Sequence, residues 1–363
     1  MSDDLRVLIM AGGTGGHVFP ALAVAEQLRD ANAKIAWLGT RRGIESELVP
    51  SQGIELNYID VEGIRGRGLK ALIKAPLQLW HAIRQALAVL AEFKPQVVLG
   101  MGGFAAGPGA VAAKLKGIPV VIHEQNSVAG TTNRLSAFIA SRVMQGFPGT
   151  LQGGEWCGNP VRPAIAKLAP PQQRFASRKG SARLLVLGGS RGALAINKLL
   201  PQALAQIDDR VRPEVMHQTG KAHLQSTIDD YQNYGINLKA GKVKVMAFID
   251  EMEDAYAWAD FVICRAGALT IAELTAAGLG SLLIPFPYAI DDHQTANGQL
   301  LVDQSAAHMI QQAELSAEIL AKEINIFCAS PERRLNMAMR ARELAKNDAA
   351  QVVASVCMEV AND

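Results

Sequence analysis

The chain has 363 residues, which is enough for about two domains of average size. Hydrophobic residues make up 49% of it and charged residues 19%, a composition that excludes a disordered protein. The net charge is +2, and residues 1–180 carry only 20 Lys and Arg against 12 Asp and Glu. That excess is too modest for a nucleic-acid binder, so we expect no nucleic-acid partner.

The four cysteines lie far apart and form no CxxC pair, which excludes a disulfide scaffold and a zinc site. No secretory signal is recognised at the amino terminus. The longest uncharged stretch, 95–113, has 19 residues, but it contains five glycines and two prolines and would make a poor spanning helix. We therefore expect a reducing compartment and no transmembrane segment.

Two similar halves follow each other along the chain. An apolar run at 6–11 has the length of a strand, the glycine-rich loop 12–17 follows, and Pro20 then opens a helix that reaches Leu28. The same order of strand, glycine loop and helix returns at 183–187, 188–192 and 193–200. Further strands are predicted at 35–38, 97–100, 119–123, 215–218, 243–248, 261–264 and 281–286.

Strands that alternate with helical stretches predict an α/β fold with two parallel sheets. The glycines and prolines between 157 and 180 indicate a linker between two domains, and a last helix at 331–360 extends beyond the second sheet. Two such sheets imply a cleft between them, with ligands at the carboxyl ends of the strands.

The glycine loops suit phosphate, because a loop that enters a helix collects free backbone N–H groups at the positive helix end. Neither loop is a Walker A motif, since both lack GK[ST]. Dinucleotide binding is disfavoured because no acidic residue ends the second strand, which runs into Arg41 and Arg42. The alternative is a tight turn without a ligand.

The densest polar cluster lies in the second half, at 264–273. Thr270 and Glu273 have the spacing of a helix capping box, whereas the functional alternative has Glu273 accept hydrogen bonds from the two hydroxyls of a ribose. The polar run 291–297 follows the next predicted strand and suits a sugar, and 123–126 similarly ends a strand of the first half.

A segment without acidic residues runs from 63 to 91 and combines basic with apolar side chains. Its basic members are Arg65, Arg67, Lys70, Lys74 and Arg84. The apolar residues recur near helical spacing, so the segment either lies on an anionic bilayer or packs on the domain core.

Six motifs together resemble the MurG family of N-acetylglucosaminyltransferases and occur in the same order along nearly the whole chain. They are GGTGGHVFP at 12–20, HEQN at 123–126, GNPVR at 158–162, GGSRGA at 188–193, CRAGALTIAE at 264–273 and DDHQTAN at 291–297. Two positions depart from the family pattern: Arg191 replaces a glutamine, which adds a charge near the donor phosphates, and Phe104 replaces a common tyrosine.

The resemblance implies the GT-B fold, two Rossmann-like parallel-sheet domains that face each other across a cleft. Residues 1–162 would form the acceptor and membrane-association domain, and residues 163–339 the donor domain, with the helix at about 340–363 packing back on the first. The enzyme would move N-acetylglucosamine from UDP-N-acetylglucosamine to the C4 hydroxyl of undecaprenyl-diphospho-N-acetylmuramoyl-pentapeptide, with inversion. It would work on the cytoplasmic face of the bacterial inner membrane, as a peripheral protein, with other cell-wall synthesis proteins as possible partners.

The family's site residues carry over position by position. In the donor domain Ser190 would hold the diphosphate, Ile249 the uracil, Glu273 the ribose and Gln294 the sugar. Helix amides there would line the diphosphate and sugar at Ala268, Leu269, Thr270, Ile271 and Ala272. The remaining substrate positions fall at Thr14, Gly15, Gly16, Asn126 and Arg162.

No cofactor and no metal are expected, because the sequence has no DxD motif and helix amides would stabilise the departing diphosphate. His17 is the predicted general base, since an imidazole titrates near neutral pH; alternatively its ring only ties the loop down. Two other functions stay open: another enzyme of this fold, such as a UDP-sugar epimerase, and a non-catalytic nucleotide-sugar sensor.

Overall fold

The computed structural model describes residues 5–62, 69–188 and 193–362, and of residues 69–74 it describes the backbone alone. The chain divides into two compact units. The amino-terminal unit comprises Met1–Arg162 and Lys346–Asp363, and the carboxy-terminal unit comprises Pro163–Ala345.

The amino-terminal unit contains a sheet of seven parallel strands in the order β3-β2-β1-β4-β5-β6-β7. The strands are β1 (Arg6–Met10), β2 (Lys34–Gly39), β3 (Glu55–Tyr58), β4 (Val97–Gly100), β5 (Val120–Glu124), β6 (Arg142–Gln145) and β7 (Glu155–Trp156). The helices between them are α1 (Gly15–Asp30), α2 (Glu45–Ser51), α3 (Leu69–Phe93), α4 (Ala106–Leu115) and α5 (Thr131–Ser136).

The predicted start of α1 is wrong. The helix begins at Gly15 rather than at Pro20, which lies in its second turn. Proline has no N–H for the hydrogen bond to Gly16 four residues earlier, so the helix lacks this one bond near its start.

The carboxy-terminal unit contains six parallel strands in the order β10-β9-β8-β11-β12-β13. The strands are β8 (Arg183–Leu187), β9 (Glu214–Gln218), β10 (Val243–Met246), β11 (Phe261–Cys264), β12 (Gly280–Leu283) and β13 (Ala307–Met309). Its helices are α6 (Pro163–Ala166), α7 (Pro171–Ala176), α8 (Leu194–Ala205), α9 (Leu224–Asn233), α10 (Met252–Trp258), α11 (Ala268–Ala277), α12 (His293–Asp303), α13 (Ala317–Ala329) and α14 (Pro331–Glu343).

The single long helix predicted at 331–360 is also wrong. The chain leaves α14 after Glu343 and begins a new helix, α15 (Ala349–Asn362), which belongs to the amino-terminal unit. Val353, Ala354 and Cys357 of α15 are buried in the core of that unit.

Both faces of the amino-terminal sheet are buried, as expected of a parallel sheet. Alternate residues of β1 point to opposite sides. Val7 and Ile9 join the cluster that contains α1 and α15, and Leu8 and Met10 join the cluster that contains α3 and α4.

Each of the two sheets has a switch point, where the strand order reverses. From β1 the chain moves outward through β2 and β3 and then returns to β4 on the other side, and β8, β9, β10 and β11 repeat the pattern. In open α/β sheets, ligands bind at the carboxyl ends of the strands where the order reverses. The predicted pair of parallel α/β sheets is thereby confirmed.

Candidate active site

The first glycine loop leads from β1 into α1 at the switch point of the amino-terminal sheet. Gly13 has a φ of +94°, a left-handed conformation that favours glycine. Thr14 is the N-cap of α1, in extended conformation, and its side chain makes no capping hydrogen bond. The N–H groups of Gly15 and Gly16 therefore lie in the first turn of α1, the part of a helix that attracts anions.

A buried carboxylate holds this loop. Glu45 has no exposed surface, and its Oε2 accepts a hydrogen bond from the Gly13 N–H at 2.9 Å. Its Oε1 accepts from the Thr40 N–H at 3.0 Å and from the Thr40 hydroxyl at 2.8 Å. Glu45 was not predicted as a site residue; its one local signal in the sequence is its position just after Gly39 and Gly43, where β2 has ended.

The His17 ring lies against the same loop. Its Nδ1 is 3.2 Å from the carbonyl oxygen of Gly12. On another side the ring meets the turn after β4, where a Cβ on Gly102 would lie 2.9 Å from His17 Cδ2. The alternative that His17 ties the loop down therefore has structural support, and the same contacts give the ring a fixed orientation.

The polar segment after β5 forms a buried network. Glu124 accepts hydrogen bonds from the Asn126 N–H at 2.9 Å, the Gly130 N–H at 3.1 Å and Asn133 Nδ2 at 3.0 Å. His123 Nε2 is 2.8 Å from the carbonyl oxygen of Gly158. Burial lowers the pKa of His123, so the ring is neutral near pH 7. Asn126 is half-buried.

In the carboxy-terminal unit, the turn after β11 leads directly into α11. The capping-box prediction is wrong: α11 begins at Ala268 with Gly267 as its N-cap, so Thr270 is already the third helical residue. Glycine has no side chain to cap the first N–H groups, which lie at the carboxyl end of β11 and include those of Ala268 and Leu269.

Glu273 does not fold back to the helix start. It is 8% exposed, and its Oε2 accepts a hydrogen bond from the Tyr256 hydroxyl at 2.9 Å. Tyr256 is fully buried in α10. This bond orients the Glu273 carboxylate, a group with about four acceptor positions.

Gln294 is the second residue of α12, which follows the loop after β12. Its Oε1 accepts the Phe286 N–H at 2.9 Å, which identifies the amide nitrogen as the donor end of the side chain. The Arg265 guanidinium donates hydrogen bonds to the carbonyl oxygens of Ile284 and Pro285, both at 3.0 Å, and so fixes the start of the loop. Asp291 and Asp292 have φ values of +53° and +50°, a strained conformation for two successive non-glycine residues.

The predicted donor residues follow different strands of the carboxy-terminal sheet, and some of these strands are neighbours whereas one is distant. Residues Ala268 to Glu273 and Gln294 follow the neighbouring strands β11 and β12. Ile249 follows β10, three places away from β11, and its N–H already donates to Gln218 Oε1 at 3.3 Å. Ser190 and Arg191 lie outside the described residues.

The basic apolar segment is described in part, because Arg65 and Arg67 and the side chains of Lys70 and Lys74 lie outside the described residues. Helix α3 has a buried face with Ala82, Ala86 and Leu90. It also has an exposed apolar surface, which we call the α3 patch: Leu77 is 70%, Leu79 43% and Trp80 54% exposed. The Arg84 guanidinium lies 4.8 Å from the centre of the Trp80 ring.

Within residues 5–62, 69–188 and 193–362, no helix combines the length and the hydropathy that a transmembrane span requires. No group of three or more His, Cys, Asp or Glu side chains there is placed to bind a metal ion.

Comparison with known proteins identifies relatives over the full length. Residues 7–145 match the glycosyltransferase family 28 N-terminal domain, and residues 183–353 match the glycosyltransferase family 28 C-terminal domain. The UDP-N-acetylglucosamine--N-acetylmuramyl-(pentapeptide) pyrophosphoryl-undecaprenol N-acetylglucosamine transferase of Cellvibrio japonicus is 53% identical, covering 99% of each chain. The protein of the same name from Pseudomonas syringae pv. syringae is 52% identical, again over 99% of each chain.

Solved structures with a similar fold include a member of the same family and a more distant enzyme. The crystal structure of Acinetobacter baumannii MurG is 37% identical, covers 98% of this chain and 99% of its own, and superposes with a TM-score of 0.84. The UDP-GlcNAc 2-epimerase of Neisseria meningitidis covers 98% of this chain and all of its own with a TM-score of 0.66, but at 13% identity it shows the fold alone. The GT-B fold class predicted from the sequence is confirmed.

Proposed function

The chain belongs to glycosyltransferase family 28 and, within it, to the MurG group of transferases, and from this premise we propose the following reaction. The enzyme transfers N-acetylglucosamine from UDP-N-acetylglucosamine to the C4 hydroxyl of undecaprenyl-diphospho-N-acetylmuramoyl-pentapeptide. The product is the lipid-linked disaccharide precursor of peptidoglycan.

One observation carries this proposal: relatives that match 99% of the chain at about half identity are named as this transferase. The epimerase alternative is not favoured, because the epimerase similarity extends to the fold and not to the sequence. A sensor is not favoured either, since both the His17 loop and the Glu273 helix retain their polar groups.

We infer that the carboxy-terminal unit binds the donor. The first N–H groups of α11 would bind the diphosphate, together with Ser190, and Glu273 would accept from the ribose hydroxyls. Support comes from the glycine cap of α11 and from the orientation of Glu273 by Tyr256. The Gln294 amide nitrogen would donate to the sugar hydroxyls, and the Ile249 backbone would contact the uracil.

The amino-terminal unit would bind the acceptor, and the remaining substrate positions of the family fall in this unit at Thr14, Gly15, Gly16, Asn126 and Arg162. His17 would accept the proton of the C4 hydroxyl as that oxygen forms its bond to the anomeric carbon. The bond from the anomeric carbon to the diphosphate breaks on the opposite face, and its electron pair leaves with UDP. Helix amides would stabilise the negative charge that develops there.

The proposal is tested with UDP-N-acetylglucosamine and a short-chain lipid-linked muramoyl-pentapeptide. We expect release of UDP only when the acceptor is present, with one disaccharide formed for each UDP. Glu273→Gln should lose most of this activity, whereas Glu314→Gln, the same change at an exposed glutamate of the same unit, should keep it. Release of UDP without acceptor would instead indicate an epimerase, and donor binding without turnover a sensor.

We further propose that the protein associates peripherally with the cytoplasmic face of the inner membrane, where a lipid-linked acceptor would lie. The α3 patch supports this, because it combines exposed apolar side chains with a basic residue. Contacts with other cell-wall synthesis proteins belong to the same proposal.

Charge reversal tests the membrane site. Each basic residue near an anionic surface contributes about 1 kcal/mol, so changing Arg65, Arg67, Lys70 and Lys74 to Glu should greatly reduce co-sedimentation with anionic vesicles. The matched control changes four exposed lysines of the carboxy-terminal unit, Lys198, Lys239, Lys242 and Lys244. Equal binding by the two variants would contradict the membrane role of this segment.

A further inference from the structure

One peptide group in the first glycine loop is held from both sides. Its N–H, which belongs to Gly13, donates to Glu45 Oε2 at 2.9 Å. Its carbonyl oxygen, which belongs to Gly12, lies 3.2 Å from His17 Nδ1. A single rigid amide therefore connects the Glu45 carboxylate to the His17 imidazole.

The Glu45 carboxylate is built into this position. It is fully buried, and both of its oxygens accept hydrogen bonds, from two backbone N–H groups and one hydroxyl. A Cβ on Gly12 or Gly43 would overlap the carboxylate, and a Cβ on Gly39 would lie 2.8 Å from Glu45 Cγ. The absence of a side chain at these three glycines thus provides the space that the Glu45 side chain occupies.

Hydrogen bonds in series polarise one another, and those to an ionised group are stronger than neutral ones. A carboxylate at the N–H end of an amide makes the carbonyl at the other end a better acceptor. That carbonyl then favours a proton on His17 Nδ1. The lone pair of the neutral ring consequently lies on Nε2, the nitrogen a general base would use.

We propose that Glu45 is a positioning residue that selects the Nδ1–H tautomer of His17 through the Gly12–Gly13 peptide. The arrangement resembles a carboxylate–histidine pair with one amide inserted between the two groups. Its part in catalysis rests on the proposed function, in which His17 takes the proton of the acceptor hydroxyl.

The tautomer is read directly from the nitrogen-15 chemical shifts of the His17 ring, which separate a protonated from an unprotonated nitrogen. We expect the full-length wild-type protein near neutral pH to carry the proton on Nδ1. A proton on Nε2 in the neutral wild-type ring would overturn the proposal without any variant.

The decisive variant is Glu45→Gln, which keeps the shape and removes the charge. An amide has only one acceptor oxygen, so the N–H groups of Gly13 and Thr40 can no longer both be satisfied. We expect a mixture of His17 tautomers and a kcat lowered by about 10- to 100-fold, by analogy with the loss of the partner that orients a metal-binding histidine. The KM for UDP-N-acetylglucosamine should not change, and Glu45→Asp should recover part of kcat.

The matched control is Glu55→Gln, the same change at an exposed glutamate of the same unit, and it should leave tautomer and kcat as in wild type. A folded Glu45→Gln protein that keeps the wild-type tautomer would refute the role of Glu45. A changed tautomer with unchanged kcat would support the connection and contradict His17 as the base. A failure of the Glu45 proposal and a failure of His17 as the base thus give different results.

Discussion

The loops at the two switch points are built differently. After β1, the loop is held by side chains: Glu45 on the Gly13 N–H, and His17 on the Gly12 carbonyl. After β11, the chain enters α11 directly with Gly267 as its cap, and the nearby carboxylate of Glu273 bonds to Tyr256 rather than to the turn. Both α1 and α11 begin without a side-chain cap and so suit an anion, but the loop after β1 is in addition held by side chains that fix one imidazole. The same topology therefore supports two kinds of chemistry.

The strongest test of this contrast is His17→Ala. If His17 is the base, kcat should fall by about 10²- to 10⁴-fold, the usual contribution of general base catalysis. The KM for UDP-N-acetylglucosamine should stay near its wild-type value, since His17 lies in the other unit. His223→Ala, at a half-buried histidine of the carboxy-terminal unit, is the control. A His17→Ala enzyme with nearly full turnover would leave His17 a purely structural role.

The reciprocal test is Glu273→Ala. Hydrogen bonds to a charged group contribute about 1.5–3 kcal/mol, so the KM for the donor should rise by about 10- to 100-fold. The KM for the acceptor should change little. Steady-state kinetics with each substrate varied in turn measures both constants. Equal increases in both KM values would reject the ribose role and with it the division of labour between the units.

The buried histidines extend the comparison to stability. Burial lowers the pKa of His217 in β9 to about 3, and it also lowers the pKa of His123 in β5. The unfolded state binds a proton near pH 6.5 while the folded state resists it. Stability should therefore be complete above pH 6.5 and fall as the pH drops toward 3, by on the order of 1 kcal/mol for each pH unit from His217, with a further decrease from His123.

Urea unfolding between pH 7 and pH 5 measures this slope. His217→Gln should flatten it, and His223→Gln should not. His217 Nδ1 is 3.0 Å from the Tyr231 hydroxyl and Nε2 is 3.1 Å from Asn197 Oδ1, so the neutral ring is bonded on both sides. Stability that did not change over this range would contradict the neutral state of both rings.

The smallest expected effect is that of Tyr256→Phe, which removes only the hydroxyl that orients Glu273. This hydroxyl would act on the donor only through the Glu273 carboxylate, so we expect an indirect effect of about 0.5–1.5 kcal/mol, which raises the donor KM about 2- to 10-fold. Tyr234→Phe, at an exposed tyrosine of the same unit, is the control. An effect as large as that of Glu273→Ala would show that Tyr256 does more than orient the carboxylate.

Features encoded locally were predictable from the sequence. Strands β4, β8 and β11 have the predicted bounds because each is an apolar run next to glycine or charge. Strands β3, β6, β7 and β13 were missed, since they are short and partly exposed and so lack such a run. The break between α14 and α15 had a signal in Asn347 and Asp348, residue types that favour helix starts.

In the candidate site, too, only features formed by contiguous residues were predictable from the sequence. The glycine loop and the Glu273 helix were found because their residues are contiguous. Glu45 and Tyr256 were missed because each acts across a distance in sequence, 32 residues to Gly13 and 17 residues to Glu273. Helical spacing also could not distinguish a capping box at Thr270 from a helix that had begun two residues earlier.

The position of α15 has a consequence for how the protein is made. One face of the amino-terminal core is completed by Val353, Ala354 and Cys357, which follow the whole carboxy-terminal unit in the chain. Strand β1 therefore waits for part of its cover until the carboxy-terminal unit has been translated. The carboxy-terminal unit is translated entirely within that interval, so the second unit of the chain is complete before the first.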